Sequence, residues 1–212
     1  MRQNLRIDMS ELELVREVYE QNKPMIKAFL ESAGDRSDEH LVSELVFCIQ
    51  TAQSKAKHAR DTVERLKSSN ILLTAGELEL RGAMQGVRFA DKKSRYIAEA
   101  KQKVEEIKKS LNLPASELRE WLVANVKGMG MKLASHYLRN IGIFGLAILD
   151  VHVQNFLKRQ GTLVGEVGKL NKRQYLENEQ KYFELAKQLG IPPEELDIAI
   201  WLHGNRCGVF YG

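Results

Sequence analysis

Apolar residues recur three and four positions apart along almost the whole of this 212-residue chain, a spacing that places them on one face of a helix. Leu41, Leu45, Cys48, Ile49 and Ala52 form one such series, and Leu118, Leu122 and Val126 form another. Strand-like alternation is scarce, so the pattern predicts an all-α protein. Helices are expected over about 10–32, 38–53, 55–68, 75–84, 91–111, 115–126, 131–140, 151–160, 172–189 and 193–203. Asp38 and Asp91 stand where N-caps or first-turn acids belong. Pro114 and the Pro192-Pro193 pair mark helix entrances, where a missing amide hydrogen costs little. Many short helices imply a compact bundle of one domain rather than a coiled coil. The expected loop is the glycine-interrupted stretch from Gly161 to Lys172, which serves equally as a crossover between two lobes.

Composition removes several function classes. Lys and Arg number 32 against 28 Asp and Glu, a net charge of +4 that permits nucleic-acid binding without requiring it. Two cysteines, Cys48 and Cys207, are too few and too far apart for a disulfide framework, a zinc site built on thiolates or an iron–sulfur cluster. The longest apolar run, Ile141 to Leu149, covers only about half of the roughly 20 residues a membrane helix needs, and the N-terminus carries charge where a signal peptide has its apolar core. An intracellular protein is expected, in the cytoplasm or nucleoid, with neither membrane insertion nor an organic cofactor or bound metal.

Chemistry concentrates between Val126 and Val153. Val-Lys-Gly-Met-Gly-Met-Lys-Leu-Ala-Ser-His-Tyr-Leu-Arg-Asn reads as a helix end, a Gly-x-Gly hairpin and a second helix. Glycines at 128 and 130 allow a tight turn and a close approach of backbone amides to a bound group. The helix start that follows offers unpaired N–H groups and a partial positive charge, which suit a phosphate. Taken alone, the same residues describe an ordinary helix–helix turn. Lys132 at the start of the second helix changes the reading, because Asp150 follows 18 positions later in Leu-Asp-Val-His-Val. One helix and one apolar turn separate them, a path that can return both ends to one cleft.

These segments resemble the helix-hairpin-helix DNA glycosylase superfamily, in which a hairpin of this kind is followed by an Asp loop. Gly-x-Gly-x-Lys combined with Asp-x-His resembles its bifunctional members. Lys132 to Asn140 and Leu146 to Val153 are similar to the 8-oxoguanine DNA glycosylases of archaeal and thermophilic-bacterial type, as are Glu44 to Ala56 and Gly86-Val-Arg-Phe. The resemblance spans residues 40–203. It implies a two-lobed helical domain with a cleft between the lobes, acting as a monomer on double-stranded DNA that contains a damaged base. The implied activity is base excision followed by β-elimination at the abasic site. Lys132 would be the nucleophile, its amine favoured by partial burial and the local field of the helix start. Asp150 would stabilise the cationic sugar.

The resemblance further implies that Phe89 and Trp201 stack the flipped purine and that Gln53 reaches toward the orphaned partner base. It implies DNA contacts from Arg88, Lys127, Gly128, Gly130, His136 and His152, with the basic run Arg88, Lys92, Lys93 and Arg95 lining the DNA track together with Lys55 and Lys57, and a monovalent cation held by the hairpin carbonyls. Structural alternatives stand beside each of these: a helix cap for Asp150, core aromatics for Phe89 and Trp201, a polar helix terminus for Gln53, satisfied structural histidines for His136 and His152, and solvated surface for the basic run. Family members usually end in a lysine that helps read the oxidised purine, whereas this sequence ends Cys-Gly-Val-Phe-Tyr-Gly. Only the carboxylate of Gly212 stands in that place, with His203, Asn205 and Arg206 as other polar readers. Lesion preference is therefore the open part of the reading, and another damaged base or DNA binding without catalysis are the alternatives.

Overall fold

The structure is a computed structural model, and it describes residues 9–204. Among these residues there are eleven helices and no strand, and no helix is long and apolar enough to cross a membrane. The helices are α1 Met9–Ser32, α2 Asp38–Thr51, α3 Ala56–Ser68, α4 Glu77–Ala83, α5 Ala90–Lys101, α6 Val104–Ser110, α7 Ala115–Asn125, α8 Met131–Asn140, α9 Val151–Arg159, α10 Lys172–Leu189 and α11 Pro193–Gly204. They divide between two compact units. A continuous unit holds residues 32–143, and a discontinuous unit joins residues 9–31 to residues 144–204.

In the continuous unit α2 is the hub. Every residue from Leu41 to Gln50 is buried, because α3, α5, α6 and α8 all pack against it. A helix surrounded in this way must be apolar on more than one face, which is why Val42, Val46 and Phe47 interrupt the single-face series read from sequence. Its buried acid is paired: Glu44 accepts from Asn140 Nδ2 at 2.6 Å and lies 3.5 Å from the Arg60 guanidinium. Cys48 is fully buried here, and burial pushes its thiol up, away from the reactive thiolate.

One expected helix is two. The stretch expected as a single helix over 91–111 breaks at Gln102 and Lys103, where Lys103 leaves helical geometry with φ −98° and ψ 6°. Ile97, Ala100, Val104 and Ile107 are all buried, so the apolar stripe keeps its spacing across the break. No glycine or proline marks the position, and periodicity alone could not reveal it.

The discontinuous unit is tied by polar contacts between α1 and the segment that follows residue 144. Glu11 of α1 accepts from Arg159 Nε at 2.6 Å and from Gln160 Nε2 at 3.0 Å. Tyr19 donates to Glu195 at 2.6 Å, and Arg16 donates to the carbonyl of Leu189. In sequence, the apolar segment read as too short for a membrane connects α8 to α9. Its last part, residues 146–149, is buried and non-helical with no strand beside it. Side chains supply the missing ladder. Glu179 accepts from the Ala147 amide at 2.9 Å, Tyr175 donates to the Ala147 carbonyl at 2.7 Å and accepts from the Leu149 amide at 3.3 Å, and Gln154 donates to the Leu149 carbonyl at 2.6 Å.

Two buried tyrosines separate hydroxyls that serve the fold from one that does not. The Tyr137 hydroxyl is buried with no hydrogen-bond partner among the described residues, whereas Tyr175 serves two backbone groups. Tyr137→Phe is expected to leave stability unchanged or raise it by about 1 kcal/mol, and Tyr175→Phe to lower it by about 1–3 kcal/mol. Urea unfolding of the two variants against the wild type measures the contrast.

Candidate active site

The hairpin between α7 and α8 folds as its sequence requires. Val126 and Met129 turn inward and are buried, while Lys127, Gly128 and Gly130 face out. The two glycines differ in purpose. Gly128 has φ +86°, and a Cβ there would stand 2.6 Å from the Tyr96 ring. Gly130 has an ordinary extended backbone as the N-cap of α8, with open space where a Cβ would go. Only the first is needed by the turn itself. The second keeps the helix start bare, so that its unpaired amides can be approached. Lys127 forms an ion pair with Glu99 at 2.8 Å.

Lys132 is the second residue of α8 and half-buried. Its Nζ lies 3.4 Å from Nδ1 of His136, one turn along the same helix. The His136 ring meets the Phe47 ring edge-to-face at 5.7 Å. Burial, reinforced by the charges of Lys132, Arg139 and Arg60, holds His136 well below the ordinary histidine range, so the ring is neutral.

Asp150 belongs to the discontinuous unit and is the N-cap of α9. Its Oδ1 accepts from the Val153 amide at 2.9 Å, which is the structural role its position suggested, and the second carboxylate oxygen is left for another partner. Glu179, Tyr175 and Gln154 hold the backbone that leads to it. These three were not singled out in the sequence. His152, two residues on, packs edge-on to Trp201 at 6.3 Å between ring centres, and both are half-buried.

Two other residues singled out in sequence occupy the left-handed region, which non-glycine residues seldom adopt. Gln53 has φ +54° and Phe89 has φ +58°, and both are exposed. α2 therefore ends at Thr51, two residues earlier than expected, and Gln53 is not its polar terminus. Phe89 is 57 % exposed, which excludes the core-aromatic alternative. Arg88 lies over its ring at 5.4 Å. The basic run divides: Arg88, Lys92 and Arg95 are exposed, but Lys93 is buried and belongs to the interior. Gly212 lies outside the described residues, as do Asn205, Arg206 and Cys207.

Residues 22–191 match the family described as 8-oxoguanine DNA glycosylase. The chain belongs to this family. Among its relatives, the 8-oxoguanine DNA glycosylase/AP lyase of Korarchaeum cryptofilum is 37% identical, covering 79% of this chain and 81% of that protein. The protein of the same name from Fusobacterium nucleatum is 39% identical over 84% of each. The crystal structure of the Thermotoga maritima 8-oxoguanine DNA glycosylase matches 92% of this chain and 95% of that one, with TM-score 0.83 and 29% identity. The Methanocaldococcus jannaschii 8-oxoguanine glycosylase/lyase, crystallised with a 15mer DNA containing 8-oxoguanine, matches 95% of this chain and all of that one, with TM-score 0.84 and 28% identity.

Two outcomes test this local geometry in the glycosylase. Gly128→Ala should cost about 1–3 kcal/mol through its backbone strain alone, with the Tyr96 clash added, while Gly130→Ala should cost under about 1 kcal/mol. Thermal unfolding of the pair checks the order. His136 sets a pH dependence: its pKa is depressed in the fold, so the unfolded chain binds more protons as pH falls. Its contribution is complete above about pH 6.5 and is lost below that, at up to about 1.4 kcal/mol per pH unit. The stability gap between wild type and His136→Phe should narrow from pH 7.5 to pH 5, and a constant gap would refute a neutral His136.

Proposed function

We propose that this chain is a bifunctional base-excision enzyme that releases 8-oxoguanine from double-stranded DNA and then cleaves the strand by β-elimination. The observation that carries the reading is Lys132 at the bared, hairpin-led start of α8, with neutral His136 one turn behind it, in a chain of the glycosylase family. In this reading Lys132 Nζ attacks the anomeric carbon C1′ as the bond from C1′ to the base breaks. The departing base takes up a proton. The sugar ring then opens, its oxygen gaining a proton, to leave an imine between lysine and sugar. Loss of a C2′ proton expels the 3′ phosphate, and water returns the free amine.

Asp150 faces the positive charge that grows on the sugar, an electrostatic role that needs an ionised carboxylate. Its cap bond uses Oδ1, which is compatible with the second oxygen serving the sugar. Phe89 and Trp201 supply ring faces for the extruded base, and Gln53 and Arg88 the contacts around the gap it leaves. The hairpin residues Lys127, Gly128 and Gly130 grip phosphate through backbone amides, and His136 and His152 support Lys132 and the Asp loop.

Borohydride trapping on a duplex containing 8-oxoguanine should give a covalent adduct with the wild type, and Lys132→Gln should reduce it by at least about 10³-fold. Asp150→Asn separates charge from cap, because asparagine caps as well as aspartate. It should keep stability within about 1 kcal/mol yet slow base release by about 10²–10³-fold. Tight duplex binding without any adduct would leave a DNA-binding module in place of an enzyme. An adduct only with other lesions, in a panel of single-lesion duplexes, would move the substrate to another base.

A further inference from the structure

Lys93 is a charged side chain that the excision chemistry does not use, and it lies in the interior of the continuous unit. As the fourth residue of α5 it is badly placed for its own helix, since a cation near a helix N-terminus opposes the dipole. Its ammonium instead reaches the end of α2. There it donates to the Gln50 carbonyl at 2.8 Å, the Ala52 carbonyl at 2.6 Å and the Ser54 hydroxyl at 3.0 Å. Three donors meet three acceptors, so the buried ammonium is fully satisfied, and two of the acceptors are carbonyls at a helix C-terminus, where a cation is favoured. Burial, and then Arg88, draw its pKa down to about 8.

The residues it holds surround Gln53. Ala52 and Ser54 flank Gln53 on either side, so fixing both fixes the left-handed backbone from which the exposed Gln53 side chain projects. Ser54 continues the link: its hydroxyl oxygen also accepts from the Arg88 amide at 2.9 Å. Arg88 directly precedes Phe89, the other exposed left-handed residue, which is also the N-cap of α5. One ammonium and one hydroxyl therefore join two turns far apart in sequence, each carrying an exposed side chain in a backbone conformation that must be imposed by its surroundings.

We infer that Lys93, acting through Ser54, is a positioning residue that locks the turns of Gln53 and Phe89 together, so that both side chains meet the DNA duplex already arranged for extrusion of the base. The inference rests on the proposed function and adds to it a residue that touches neither DNA nor the reacting sugar. Preorganisation of this kind matters for extrusion from a paired duplex, where the enzyme must offset unstacking. It matters far less for imine formation on an abasic site already present in a single strand.

The test compares full-length wild type, Lys93→Met and Ser54→Ala. In the free proteins, amide hydrogen exchange at residues 52–55 and 86–90 should quicken at least about tenfold in Lys93→Met, with 86–90 affected in Ser54→Ala as well. Exchange that stays at the wild-type rate in both segments, or that rises uniformly across the unit, overturns the coupling. With DNA, single-turnover release of 8-oxoguanine from duplex should slow at least about tenfold in both variants, while borohydride trapping on a preformed single-stranded abasic site should stay within about twofold. Release within twofold of wild type in Ser54→Ala, or trapping that falls in step with release, rejects the positioning role. Ser54→Ala keeps the comparison decisive if Lys93→Met does not fold. If the wild type itself releases no base, the proposed function fails, and the exchange comparison alone then decides whether Lys93 couples the turns.

Discussion

A peptide group withdrawn from water must hydrogen-bond to something, and leaving it unpaired costs about 1–3 kcal/mol. That constraint organises both regions of this protein where function is proposed. Residues 146–149 run buried and non-helical with no neighbouring strand, so the obligation falls on Tyr175, Glu179 and Gln154. Because their bonds end at Leu149, they also fix the place from which Asp150 begins α9. The same requirement governs the end of α2, whose last carbonyls are met by Lys93 rather than by a glycine cap. In each case side chains do the work of a ladder or a cap, Tyr175 and Glu179 from α10 in the first and Lys93 from α5 in the second, and in each case the supported backbone leads directly to a residue proposed to meet the substrate, half-buried Asp150 or exposed Gln53.

This explains which features could be read from the sequence. Helix periodicity is local, so nine of the ten expected stretches coincide with single helices, several to within a residue: α8 at Met131–Asn140 and α10 at Lys172–Leu189 fall where the spacing and caps put them. The break between α5 and α6 escaped because the apolar stripe runs through it in register. The hairpin, Lys132 and the capping position of Asp150 were legible because turn chemistry and helix starts are written in consecutive residues. Lys93 was not. Beside Lys92 it has the local appearance of one more surface cation, and only the fold turns one inward and the other out. Tyr175 and Glu179 act on backbone 26 to 32 positions away, beyond any local pattern. Phe89 shows the complementary case, in which the choice between core and surface is decided by one left-handed dihedral that the sequence does not announce.

His136 and Asp150 share a further property. Each has a structural duty that suffices to explain its presence, edge-on packing to Phe47 for one and a helix cap for the other. Each also leaves an atom to spare: Nδ1 toward Lys132 in the first, a carboxylate oxygen in the second. A side chain anchored by one atom and chemically open at another is held still while it acts, which is the condition for electrostatic stabilisation without reorganisation.

The division of the chain has a consequence for its synthesis. Residues 32–143 form a unit that is contiguous in sequence, whereas α1 finds its partners Arg159, Gln160, Leu189 and Glu195 only beyond that unit. As the chain leaves the ribosome, α1 emerges ahead of the other described helices and must wait, its buried face without a surface to cover it, until α9, α10 and α11 have followed. The continuous unit has no such delay and can condense while the remainder is still being made. The clasp of Glu11 with Arg159 and Gln160 closes a loop of about 150 residues, and the entropy cost of that closure is offset only once both ends are present to make the contacts. Assembly therefore finishes at the unit that carries Asp150, so a nascent chain can shelter its lysine in a formed hairpin before the acidic half of the proposed chemistry exists.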